Sequence, residues 1–227
     1  KTIPDYSTNS EALGLLALLH LDINHEDLAR TLSEAALKLE PTNYDAQLVD
    51  IMLRLITQET NVAEIQDLLQ RNQHDSRLNF ALGSTYMMQG EFAQAITYFK
   101  NTLTIHPEFY DCHIAMAWCQ LLTDDLHAAH ETYQNAVALA DELADGWGGL
   151  ALIYALNNDL EPAEQLIHKA KMLDDECFLA QIAETIYLTH KNPEQAQQHL
   201  VDTLSNANTP VSEQLAVIMA ELSSVAE

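Results

Sequence analysis

The sequence predicts an all-α fold, a solenoid of stacked helix hairpins, and three observations carry that expectation. Residues 76–108 hold two runs of apolar residues at helical spacing, Leu78, Leu82, Tyr86 and the Met87-Met88 pair in the first and Phe92, Ala95, Ile96, Phe99 and Leu103 in the second. Gln89-Gly90-Glu91 turns the chain between them, and Pro107 stops the second run after His106. The pattern then returns at a period of 34 residues: Leu82, Gly83, Tyr86, Ala95, Phe99 and Pro107 fall on Met116, Ala117, Gln120, Ala129, Tyr133 and Asp141, and again on Leu150, Ala151, Tyr154, Ala163, Ile167 and Asp175. Finally, isolated helices shorter than about 12–15 residues are marginal in water, so each hairpin must bury its apolar stripes against its neighbours.

The order Leu82-Gly83, Tyr86, Ala95, Phe99, Pro107, followed by Trp147, Leu150, Ala151, Tyr154 and Ala163, resembles the tetratricopeptide repeat. Its physical logic is small against large. Gly83, Ala117 and Ala151 sit where the first helix of a pair approaches its partner, Ala95, Ala129 and Ala163 are the matching small residues of the second helix, and Tyr86, Phe99, Tyr133 and Tyr154 fill the space between pairs. The resemblance implies a right-handed superhelical solenoid and extends, more weakly, over nearly the whole chain.

Taken in order, residues 1–9 form an N-terminal extension, and repeat units are expected at about 10–43, 44–75, 76–109, 110–143, 144–176 and 177–209. In the first unit Leu13, Leu16, Ala17 and His20 precede a turn at Asp22-Ile23-Asn24, with Ala29, Ala36, Leu37 and Pro41 after it. The second unit is two residues short of the period and has lost the small-residue signature, offering Leu48, Ile51, Met52 and Leu55, then Ile65, Leu68 and Leu69. After Asp175 the phase slips by about one residue, and Ala183, Tyr187, Ala196 and Leu200 take the repeat positions. Asn192-Pro193-Glu194 is a helix start. Val211, Leu215, Ile218, Met219 and Leu222, in residues 210–227, read as a capping helix for the last pair.

Composition bounds the function. At 48% hydrophobic the chain is too apolar to be disordered, and no window approaches the 18 or more apolar residues of a membrane helix. Its formal net charge of −24 repels polyanions, so nucleic acid and anionic membrane surfaces are poor partners. No Lys or Arg occurs between Lys100 and Lys169. Cys112 and Cys119 lie about 10 Å apart by helical rise, beyond bridging distance, and the three cysteines read as free thiols of a reducing compartment, the cytoplasm. Lys1 opens the chain without a signal segment, the mark of a processed form or of a piece of something longer.

No constellation nominates an active site. His127 and His130, three apart on one face, with His113 nearby, lack the further ligands of a closed zinc site and read as surface histidines. Cys112 and His113 are adjacent on a helix and point about 100° apart, so they cannot act as nucleophile and base. Asp124-Asp125, Asp141-Glu142 and Asp174-Asp175 suit turns and helix ends. Gly146, Gly148 and Gly149 surround Trp147 in a helical pattern without a phosphate-loop lysine. The chain is expected to be no enzyme and to need no metal and no cofactor.

What remains is surface. In the resembled family the first helix of each pair lines the concave wall, which places Phe80, Met87, Met88, Ile114, Trp118, Leu121 and Leu152 on a greasy groove with Asp111 and Asp145 at its entrance. Met and aromatic side chains suit a groove that accepts a helix or an extended segment. The expected role is a scaffold or adaptor that binds an apolar, net-basic segment of a partner protein, chaperone-like for a secretion system in surface character. The alternative is the regulatory arm of a larger enzyme or transcription regulator. The inward Lys, Arg and Asn residues by which some family branches hold chaperone C-termini are replaced here by Leu, Met, Phe, Ile and Trp, so that activity is not carried over.

Overall fold

Hairpins at nearly constant spacing account for the backbone of residues 8–206, which the computed structural model describes. The described residues form helices only: α1 (Ser10–Asp22), α2 (Glu26–Leu39), α3 (Tyr44–Ile56), α4 (Val62–Arg71), α5 (Ser76–Met88), α6 (Phe92–Ile105), α7 (Tyr110–Leu122), α8 (Leu126–Leu139), α9 (Ala144–Leu156), α10 (Leu160–Leu173), α11 (Phe178–Lys191) and α12 (Pro193–Asn206). They sort into two compact units, Lys1–Pro107 with α1–α6 and Glu108–Glu227 with α7–α12. The capping helix read at 210–227 lies outside the described residues.

The turn inside each of the first five hairpins is made by one residue in the left-handed region, Asn24, Gln58, Gly90, Asp124 and Asn158, with φ between 57° and 77°. A short polar side chain or none lowers the cost of that conformation. The shortfall of the second hairpin is local: α4 has 10 residues where α2 and α6 each have 14, and a longer link, Thr57 to Asn61, restores part of the difference. The phase slip near the end has a matching cause. α11 runs to 14 residues, and Asn192, the only residue between α11 and α12, is extended with φ −153° in place of a left-handed turn.

In the first unit Asn9, Asn43 and Asp75 cap α1, α3 and α5 with their side chains. Asn43 also ties neighbouring hairpins together. Its Oδ1 accepts from Ala46 N at 2.9 Å while its Nδ2 donates to both Ser10 O and Ser10 Oγ at 3.0 Å, and Tyr44 Oη donates to Asp75 Oδ2 at 2.8 Å. The core between these helices pairs small with branched residues: Ala17, Ala29, Val49 and Leu53 in one cluster, and Leu48, Ile51, Ile65, Leu78 and Leu82 in another. Arg77 reaches Asp22 at 2.8 Å across an exposed pair that contributes little to stability.

In the second unit the matching N-cap positions are Phe109, Leu143 and Cys177, none of which caps with its side chain. At the start of α9 a tertiary contact takes that role. Gly146 N donates to Tyr110 Oη at 3.2 Å, and Trp147 Nε1 donates to Asp141 O at 2.8 Å. Asp125 caps α8 through Ala128 N, and Asp174 accepts from Glu176 N, so these acids lie at helix ends and turns.

Two glycines lie close against aromatic rings. A Cβ on Gly83 would lie 2.5 Å from Cε1 of Phe99, and one on Gly149 would overlap the Tyr133 ring. Both rings are fully buried. Gly83→Leu and Gly149→Ala are therefore expected each to lower stability by about 1–3 kcal/mol through overpacking, seen as a lower urea midpoint. A parental midpoint for both would contradict the packing described.

Candidate partner-binding site

The residues assigned to the groove wall divide by unit. In the first unit Phe80, Met87 and Met88 stand on α5, all half-buried, with the Phe80 ring 5.8 Å from that of Phe99. In the second unit α7 carries Asp111, Ile114, Trp118 and Leu121, and α9 carries Asp145 and Leu152. Asp111 and Asp145 are exposed, and Ile114 and Leu121 are half-buried. Trp118 and Leu152, expected on the wall from their repeat position, are instead 7% and 2% exposed and belong to the core. The physical reason for Leu152 is that α9, beyond Asp145 in its first turn, is apolar nearly all round, as a helix packed on most sides is, and α9 contacts α7, α8, α10 and α11. Periodicity cannot choose an exposed face on such a helix.

The electrostatics of the second unit centre on Asp145. Although exposed, it is partly withdrawn from water, and this desolvation, followed by the charges of Asp174 and Asp111, raises its pKa. Cys177 Sγ lies 4.0 Å from Asp145 Oδ1, with its thiol pushed up to about 11, chiefly by burial. Burial also lifts the Tyr110 phenol to about 12 and the Cys119 thiol to about 12, so neither thiol is an activated nucleophile. Tyr133 is raised furthest, by burial first and then by the charges of Cys119, Asp145, Cys177 and Tyr110. Its hydroxyl has no hydrogen-bond partner among the described residues.

All three lysines of this unit are engaged elsewhere. Lys169 lies 5.7 Å from the Trp147 ring, Lys191 lies 5.7 Å from the Tyr187 ring, and Lys171 is ion-paired with Glu184. Glu184 also receives His199 at 3.1 Å, beside an open cavity of about 670 Å³ lined by Glu161, Glu164, Ile167, His168, Lys171 and Tyr187. Apolar spacing gave no signal for that cavity, because its lining comes from polar positions of α10 and α11.

His127 is exposed near Glu131, and His130 packs edge-on against Tyr154 at 5.8 Å. Among the described residues no group of three or more His, Cys, Asp or Glu is arranged to hold a metal ion, and no helix is long and apolar enough to cross a membrane. Cys112, Cys119 and Cys177 are all buried.

A sequence model described as a tetratricopeptide repeat matches residues 86–142. The chain is also 27% identical over 143 residues to the TPR repeat-containing protein YpiA of Bacillus subtilis, covering 62% of this chain and 32% of that protein. Residues 86–142 thus match the tetratricopeptide repeat, and the chain is similar to tetratricopeptide-repeat proteins. A second relative, the general transcriptional corepressor trfA of Dictyostelium discoideum, is 22% identical over 120 residues, 52% of this chain and 9% of the relative. The chain thus spans a third or less of the curated relatives it matches. Among solved structures it is similar to pilF of Pseudomonas aeruginosa, with a TM-score of 0.65 at 14% identity over 92% of this chain and 96% of that one. It is similar as well to the APC/C hetero-tetramer Cut9-Hcn1, TM-score 0.67 at 17% identity over 92% and 42%, and to YrrB, TM-score 0.59 at 16% identity over 78% and 92%. These likenesses show an all-α solenoid of tetratricopeptide repeats, a fold that serves generally as a protein–protein interaction scaffold.

The raised pKa of Asp145 fixes the sign of a pH effect. The folded state holds this proton more tightly than the unfolded chain, so the ionised carboxylate opposes folding at neutral pH, and that penalty is relieved as the pH falls through the folded-state pKa. Asp145→Asn is expected to melt higher than the parent at neutral pH, with the difference narrowing as the solution is acidified. A variant that melts lower at neutral pH would contradict the desolvation described.

Proposed function

We propose that this tetratricopeptide-repeat protein is a non-catalytic scaffold that holds an apolar, net-basic segment of a partner protein against the first helices of its hairpins. The observation that carries the reading is the pairing, on α7 and α9, of exposed Asp111 and Asp145 with half-buried Ile114 and Leu121 in a unit whose three lysines are engaged elsewhere. Phe80, Met87 and Met88 offer apolar surface of the same kind on α5 of the first unit. With Trp118 and Leu152 in the core, the apolar contact falls to these half-buried side chains, each contributing about 1 kcal/mol when covered. The net charge of −24 disfavours nucleic acid and anionic membranes and favours a basic partner, and an odd number of buried cysteines suits a reducing compartment such as the cytoplasm. YrrB, a protein of the same fold, has an unusual peptide-binding site, which supports a peptide segment as the ligand. A chaperone-like role for a secretion system fits this surface character.

A second reading, the interaction arm of a larger regulator, is favoured by the match to a stretch that makes up 9% of a transcriptional corepressor.

Selection from a random peptide library on the full chain tests the scaffold reading. Enrichment of segments that mix apolar residues with Lys or Arg is expected, with about tenfold weaker capture by an Ile114→Ala, Leu121→Ala variant that still melts cooperatively. Enrichment of acidic segments, or of none, would overturn it.

A further inference from the structure

We propose that Asp145 and Asp111 form a socket for one side-chain cation of a bound segment, a lysine ammonium or an arginine guanidinium, with the Tyr133 hydroxyl as an acceptor at its base. This deepens the scaffold reading and rests on it only for the ligand being a protein segment.

Two independent features carry the inference. The first is charge without counter-charge. Asp111 and Asp174 both bear on Asp145, while Lys169, Lys171 and Lys191 lie against Trp147, Glu184 and Tyr187. The second is Tyr133, whose ring is fully buried against Gly149, one turn from Asp145 on α9, and whose hydroxyl has no partner among the described residues. Buried polar groups are as a rule hydrogen-bonded, and each exception calls for an explanation. The neighbours do not supply one. Tyr110 Oη already accepts from Gly146 N at 3.2 Å, and the Cys177 sulfur stands 4.0 Å from Asp145 Oδ1.

The chemistry of the missing partner follows from what surrounds it. Carboxylates accept and do not donate, and a phenol oxygen beside them is a further acceptor, so the fitting ligand presents several N–H donors and a positive charge. Both side-chain cations meet that description. A bare metal ion does not, since no group of three ligating side chains is arranged to hold one among the described residues. Asp145 is exposed, so the tip of a long side chain can reach it from solvent.

The full chain, labelled with nitrogen-15, can be titrated at low salt with N-acetyl-arginine methylamide, N-acetyl-lysine methylamide and the neutral N-acetyl-citrulline methylamide, following the Gly146 and Gly148 amides. Saturable shifts are expected with at least one of the two cations and none with citrulline. Asp145→Asn should weaken the binding about tenfold, whereas Glu26→Gln, which removes the same charge from exposed α2, should not. Tyr133→Phe should weaken binding severalfold while melting no lower than the parent, since it deletes an unsatisfied hydroxyl and keeps the ring. No saturable shift with either cation, equal shifts with citrulline, equal weakening by Glu26→Gln, or parental affinity in Tyr133→Phe would each overturn the socket. Peptide selection can succeed while these titrations fail, so the socket and the scaffold reading fall separately.

Discussion

An aromatic ring seated against a helix that offers no Cβ sets the spacing of the hairpins. Phe99 and Tyr133 occupy the same repeat position, 34 residues apart, and both are fully buried. Phe99 closes on Gly83 of its own hairpin, whereas Tyr133 closes on Gly149 of the hairpin that follows. The ring is the constant and the glycine changes sides. Each ring fills space that would otherwise be a void, and protein interiors tolerate neither voids nor overlaps of even a methyl group.

That constraint shapes the chemistry of the second unit. Because Gly149 admits Tyr133 so closely, a phenol is buried against α9 one turn from Asp145, where a phenylalanine would have left an apolar floor. Burial also raises the pKa of Asp145 and of the Cys177 thiol. In the first unit Asn43 and Tyr44 link consecutive hairpins through polar contacts, and the equivalent link in the second unit passes through Tyr110 and Gly146.

Helices and turns were legible because apolar spacing and the Gly90, Asn24 and Asp124 turn residues are local signals. Gly83 could be paired with Phe99 for the same reason, since both lie in one hairpin. Gly149 was not legible as a packing residue, because aligning Gly83 on Ala117 and Ala151 directs attention two residues away, to another face of α9, and its ring comes from the preceding hairpin. The groove was legible at Asp111, Asp145, Ile114 and Leu121 only as a set of repeat positions. Trp118 and Leu152 were misplaced because α7 and α9 bury residues on several faces, which leaves periodicity nothing to discriminate. The environment of Tyr133 depends on Cys177, far along the chain and on a different hairpin, and no spacing rule reaches that far.

The dependence of the hairpin on the ring-to-glycine contact is tested most directly by a double-mutant cycle on Gly83→Ala and Phe99→Leu, with each stability taken from urea unfolding. If the contact governs the spacing, the smaller side chain at position 99 makes room for the added methyl. The double variant is then more stable than the sum of the single losses predicts, by about 1 kcal/mol or more. Losses that simply add would show that Gly83 and Phe99 act independently and would contradict the account.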